Sequence, residues 1–276
     1  MTIFGSEVKS SLKKFFTWLI VLIVFVGLLT AFYPLIAKDN LDEIIRDFVA
    51  SMSPKLRAGL FLAEDFDPSD LGQYLAMMFK YISVLTGIFA IQIGAKALAR
   101  EEETGNIQYL YSNPISRSEI VTGKFLAGIF ILFLFYLIFG AVTFGISFAF
   151  KTDTVIMSKI LTDIILIFVG LFAQGLVFLA IGLFISSFLR NSHAAEGIGT
   201  VIVLILGIAA VVTNVLAVSS AESMAPLSKF LPFGAFGPTA MMNLNFDIFV
   251  MIINLIVLII FLVLSYVIYL SKQYKY

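Results

Sequence analysis

The chain has 276 residues, 60% of them hydrophobic and only 13% charged, with no cysteine and a formal net charge of zero. A water-soluble domain carries about a quarter charged residues, so this composition excludes an aqueous existence for most of the chain. It also excludes a disulfide framework and thiolate metal sites, and it leaves no basic excess for nucleic acid.

Several apolar runs approach the roughly 20 residues that take a helix across about 30 Å of hydrocarbon, and only helices or closed barrels satisfy their backbone in lipid. Barrel strands would show short alternating segments, which these runs do not. The expected fold is therefore all-α: a single polytopic membrane domain over residues 1–276 with six transmembrane helices.

In chain order, residues 1–14 interleave Ile3, Phe4, Val8 and Leu12 with Glu7, Lys9, Lys13 and Lys14 at spacings near four. That pattern predicts an N-terminal interfacial helix on the inner side, before the chain turns into the bilayer. The first span, 15–37, exceeds the roughly 7–15 residues of a signal-peptide core and is followed by further spans, so it is read as retained. The outer segment 38–73 is net acidic and repeats Ile44, Ile45, Phe48, Val49 and Met52 at helical spacing, predicting amphipathic helices against the outer membrane face. Span 74–98 leads to a cytoplasmic segment, 99–120, and then come spans 121–150, 160–189 and 194–218. Segment 219–246 is apolar yet broken by Pro226, Pro232, Gly234, Gly237 and Pro238. Such backbone survives at membrane depth only where protein or a cavity covers it, so an outer re-entrant hairpin is expected before the last span, 247–270.

Six spans put both termini on one side. With the termini inside, ten basic residues fall on the inner side and seven on the outer, four of these seven within the single long segment 38–73. The tight loops and tails therefore favour cytoplasmic termini.

One loop carries a mechanism. Thr104-Gly105-Asn106 is turn chemistry, Ile107, Leu110 and Tyr111 form one face of a short helix, and Asn113-Pro114 ends it. Ser116 and Glu119 then make a capping box, with Ile115 and Ile120 at the staple positions, which starts the third span at a fixed place. Glu101, Glu102 and Glu103 stand at the inner end of the second span, where the helix dipole disfavours each carboxylate by about 0.3–1 kcal/mol. Two readings stay open for them: a solvated acidic helix end, or an acidic helix that inserts into a basic-rimmed groove on a cytoplasmic partner.

The stretch from Glu101 to Lys124, E-E-E-T-G-N-I-Q-Y-L-Y-S-N-P-I-S-R-S-E-I-V-T-G-K, resembles the cytoplasmic segment of ABC-2 type transporter permeases. The amphipathic start and the Leu227–Phe233 stretch are similar too. The resemblance implies a membrane-spanning permease, with export as the expected direction. It implies that Glu101, Glu102, Glu103, Gly105, Ile107, Leu110, Pro114 and Arg117 belong to a coupling helix that docks on a separate nucleotide-binding ATPase. It further implies that a second permease subunit, the same or similar, completes the pathway in a prokaryotic cell membrane. ATP and Mg would then sit on the ATPase, and no cofactor is expected on this chain.

The chain has no phosphate-cradling loop of its own, since Gly123-Lys124 is followed by Phe125 and has no glycine five residues earlier. No H-E-x-x-H occurs, and His193 is the single histidine, so neither catalysis nor a metal site is expected. Lys80, Asp163 and Glu196 lie within snorkelling reach of an interface and are read as structural. Gln92, Gln174 and Asn254 are read as interhelical ties. The rival class is an ATP-independent carrier or a structural or sensory anchor, and the substrate leaves no motif.

Overall fold

The computed structural model describes residues 3–38, 41–62, 66–103, 116–153, 155–219 and 225–272. Among them the regular structure is all helical. Helix α1 (Ile3–Ala31) is followed, at the end of the bundle away from its N-terminus, by α2 (Tyr33–Lys38), α3 (Leu41–Ser51) and α4 (Pro54–Gly59). Helices α5 (Leu71–Glu103), α6 (Arg117–Ala149), α7 (Met157–Phe188) and α8 (Ser192–Ser219) run back and forth. Three short helices, α9 (Ala225–Phe230), α10 (Pro232–Ala235) and α11 (Pro238–Met242), precede α12 (Ile248–Ser271). Six segments among the described residues are long and apolar enough to cross a membrane: α1 with α2, α5, α6, α7, α8 and α12.

The expected turn near Phe15 does not occur. Helix α1 is one helix of 29 residues, about 43 Å long at 1.5 Å per residue. Its buried positions, Glu7, Ser11, Phe15, Leu19, Leu22, Val26 and Thr30, recur every three or four residues. One uninterrupted stripe therefore lies against α6, and residues 3–14 continue the same helix.

Helices α5 and α7 form the centre, and their backbones touch. A Cβ on Gly94 would lie 2.2 Å from the Leu179 carbonyl oxygen, and one on Gly182 would lie 2.2 Å from the Ile91 oxygen. Small residues at a crossing permit this approach in lipid, where association relies on packing and hydrogen bonds. Those bonds are present: Gln174 donates to the Ser83 carbonyl at 3.0 Å, and the Ser186 hydroxyl oxygen accepts the Leu98 and Ala99 N–H groups at 2.8 Å each. Gln92 donates to Thr200 on α8 at 3.0 Å, and Asn254 on α12 to the Phe230 carbonyl at 3.1 Å. Helix α8 packs on α5, α12 on α7 and α1 on α6, each leaving an apolar outer face exposed.

Helix α3 buries Val49 alone, and Ile44 and Phe48 on its apolar face are open. Segment α9–α11 folds back down the bundle, broken at Pro232 and at Gly237-Pro238. Its Phe233 ring meets Phe178 of α7 at 5.3 Å, and Met241 presses on Gly170.

Candidate functional site

At the end of the bundle where α1 begins, the ends of the six spans meet around the last described turn of α5. Lys124 lies two turns into α6, whose start is set by the capping box: the Ser116 N–H donates to Glu119 Oε2 at 2.7 Å, and the Glu119 N–H to Ser116 Oγ at 3.3 Å. From there the Lys124 ammonium donates to Glu7 of α1 at 2.7 Å and to Glu101 of α5 at 2.8 Å. All three are buried, at 2%, 2% and 7% exposure. Buried charges persist only when paired, and here one cation joins three helices.

Each remaining glutamate is bound to a different element. Glu102 pairs with Lys272 at the end of α12 and faces Arg190, beyond the end of α7, at 3.8 Å. Lys272 thus supplies positive charge where the C-termini of α5, α7 and α12 converge, which offsets the unfavourable carboxylates there. Glu103 accepts from the Ser192 N–H at 2.9 Å and from the Ser192 hydroxyl, at the N-terminus of α8. A carboxylate at that end satisfies an orphan donor and is favoured by the helix dipole. Arg117 donates to the Leu270 and Lys272 carbonyls at 3.1 and 2.8 Å, capping α12 from the start of α6. Lys14 on α1 pairs with Glu196 on α8 at 2.7 Å.

Glu101 is buried, Glu102 half-buried and Glu103 exposed, and each carboxylate has a hydrogen-bond or ion-pair partner within the subunit. Of the residues expected in the coupling segment, Glu101, Glu102, Glu103, Arg117, Ser116 and Glu119 are brought together here. Gly105, Ile107, Leu110 and Pro114, with the short helix expected around them, lie outside the described residues, as does Ile115. Sequence reasoning missed Glu7, Lys124, Arg190 and Lys272. Glu7 carried a signal, because it falls in phase with Ser11 and Phe15 on one helix face. The partners of Lys124 and Lys272 carried none. Among the described residues no group of three or more histidines or acids is placed to hold a metal.

Six helices long and apolar enough to span a membrane, a broken segment ahead of the last of them and a buried charged clasp at one end of the bundle define a polytopic membrane protein. The chain matches the family described as ABC-2 family transporter protein over residues 1–274, and it belongs to that family. It is thus a multi-pass membrane permease of an ABC transporter, and the family works in general with an ABC ATPase. A search of curated proteins finds no match.

Proposed function

We propose that this subunit forms the translocation pathway of an ABC exporter with a second permease subunit, driven by a separate cytoplasmic ATPase that docks on segment 99–120. One observation carries the reading. The stretch 104–115 is flanked by Glu101–Glu103 on one side and Ser116–Arg117 on the other, and these flanks are bonded to α8 and α12 directly and to α1 through Lys124 of α6, which holds both Glu101 and Glu7. A push delivered by an ATPase between those flanks would reach the inner ends of the spans through short charge-assisted bonds, and rigid helices would carry it outward. In this reading the glutamates transmit force, and the partner touches residues 104–115. Cytoplasmic termini agree with the basic-residue distribution, and export follows from the family's character.

The test is purification of the subunit from its native membrane in a mild detergent, followed by mass spectrometry and an ATPase assay. Recovery of an ATPase chain, lost when Gly105, Ile107 and Leu110 are replaced together, is the expected result. Recovery of the intact subunit without any ATPase, or an ATPase indifferent to those replacements, would overturn it.

A further inference from the structure

A second site lies in the outer half of the bundle and owes nothing to the clasp. Between α5 and α8 is a cavity of about 230 Å³ whose lining includes Phe61, Lys80, Val84, Gly207 and Phe233. Lys80 stands nine residues below Leu71, about 13 Å along the α5 axis. Its walls are mainly apolar, and Lys80 is the one charged residue among those that line it, beside Tyr81 and Ser83.

The roof over Lys80 is built rather than incidental. Helix α4 ends in a Schellman motif: the Phe61 N–H donates to the Ala58 carbonyl at 3.1 Å and the Leu62 N–H to the Arg57 carbonyl at 3.0 Å. The motif places Phe61 at φ 57°, a left-handed position normally given to glycine, and a side chain there costs about 1–2 kcal/mol. The turn is pinned by Tyr81, whose hydroxyl donates to the Leu60 carbonyl at 2.7 Å. Helix α4 is pressed on α8, so a Cβ on Gly59 would lie 3.2 Å from Val215. The strained turn sets the Phe61 ring over Lys80 Nζ, 4.2 Å from the ring centroid.

Among the described residues no carboxylate pairs with Lys80. An ammonium in apolar surroundings is costly without an opposing charge, and the ring face returns only part of that cost. The cavity holds the volume of about eight waters, yet offers them few polar partners. An anion carried on an apolar body meets both demands. The side toward Leu204 and Ile208, both exposed on α8, admits such a molecule laterally.

We propose that this cavity binds an anionic amphiphile, its carboxylate, sulfate or phosphate head on Lys80 and its apolar body between α5 and α8 beneath Phe61. The assignment does not depend on the ATPase, so it is tested on the full-length subunit alone, in a neutral maltoside detergent. Equilibrium binding of dodecanoate is compared with that of dodecanol, which has the same chain length without the charge. Wild type is expected to bind dodecanoate at least tenfold more tightly. Lys80→Met should abolish that preference while keeping dodecanol binding, and Lys80→Arg should retain it. Lys151→Met is the control, because Lys151 makes the same kind of contact with Phe148, at 4.8 Å, on the surface; it should leave the preference intact. Gly207→Met should fill the cavity and remove both ligands, with elution on size exclusion confirming the fold. Equal binding of the two compounds by wild type, or a preference that survives Lys80→Met, would overturn the proposal. Native mass spectrometry of the purified protein identifies the source. An anionic phospholipid that copurifies with wild type and is lost from Lys80→Met marks a membrane lipid, and binding of added dodecanoate alone marks a free amphiphile.

Discussion

Replacing Lys124 by Met tests the clasp most directly. The substitution keeps the apolar stem and removes the ammonium that joins Glu7 and Glu101. Two oxygens held by one nitrogen at 2.7 and 2.8 Å lie at most about 5.5 Å apart, and at an effective dielectric near 20 two such charges repel by about 3 kcal/mol. Removing one partner from a buried ionic group costs about 3–5 kcal/mol in general, so a loss of about 3 kcal/mol is expected, a factor on the order of 10² in the folding equilibrium. Glu7→Gln behaves differently. Its amide oxygen still accepts from the ammonium, and Lys124 and Glu101 remain as a one-to-one pair, so the loss should stay near 1 kcal/mol. The assay is equilibrium unfolding of the purified subunit in mixed micelles, titrated with a denaturing detergent. A Lys124→Met variant within 1 kcal/mol of wild type, or a Glu7→Gln variant as unstable as Lys124→Met, would refute the three-helix clasp.

Other consequences are equally checkable. Gly182→Ala puts a methyl 2.2 Å from the Ile91 oxygen and 2.8 Å from the Ala95 nitrogen, so α5 and α7 must separate; a loss of about 1–3 kcal/mol is expected by the same unfolding assay. Gly197→Ala on α8 meets nothing within 4 Å and should be neutral or stabilising by up to about 1 kcal/mol. Ser116→Ala removes the cap of α6 and should cost about 1 kcal/mol, seen as faster hydrogen exchange in the first turn of α6. In the outer segment, burial pushes the Asp67 carboxyl up, but the Ser69 hydroxyl and N–H, with Arg46 at 3.0 Å, outweigh it and hold the group below its ordinary range. A depressed carboxylate stabilises above its unfolded pKa, about 3.9, and that contribution is lost as the pH falls through the folded value. Protection of the Ser69 amide, measured relative to its intrinsic exchange rate at each pH, should therefore be steady from pH 8 to 5 and fall below about 4, whereas Asp67→Asn should show the lower protection throughout.

Much of this protein is legible before any coordinates. The six spans follow from apolar length, because lipid forces each buried backbone to close its hydrogen bonds within a helix. The capping box at Ser116 and Glu119 is local, and its residues sit within one turn of each other, so the sequence names both partners. The three glutamates show where such reading ends. Their helix position was readable, and so was their conflict with the dipole, but the sequence left a solvated end and a partner's groove equally open. The structure turns each one to a charge or helix end inside the subunit.

The continuous α1 is a similar case. The charged residues between Glu7 and Lys14 suggest a surface helix, yet Glu7 lies on the buried stripe because Lys124 awaits it on α6. Lys80 looked able to snorkel, but the left-handed turn at Phe61 closes over it. Composition and periodicity by themselves determined what must lie in lipid and where the long helices run. Tertiary structure alone decided which charges meet: Glu7 and Lys124 are 117 positions apart, and Lys272 and Glu102 are 170. Such pairings depend on how each helix is rotated and crossed, which is set by contacts such as Gly94 on Gly182, and no local pattern in the chain encodes that angle.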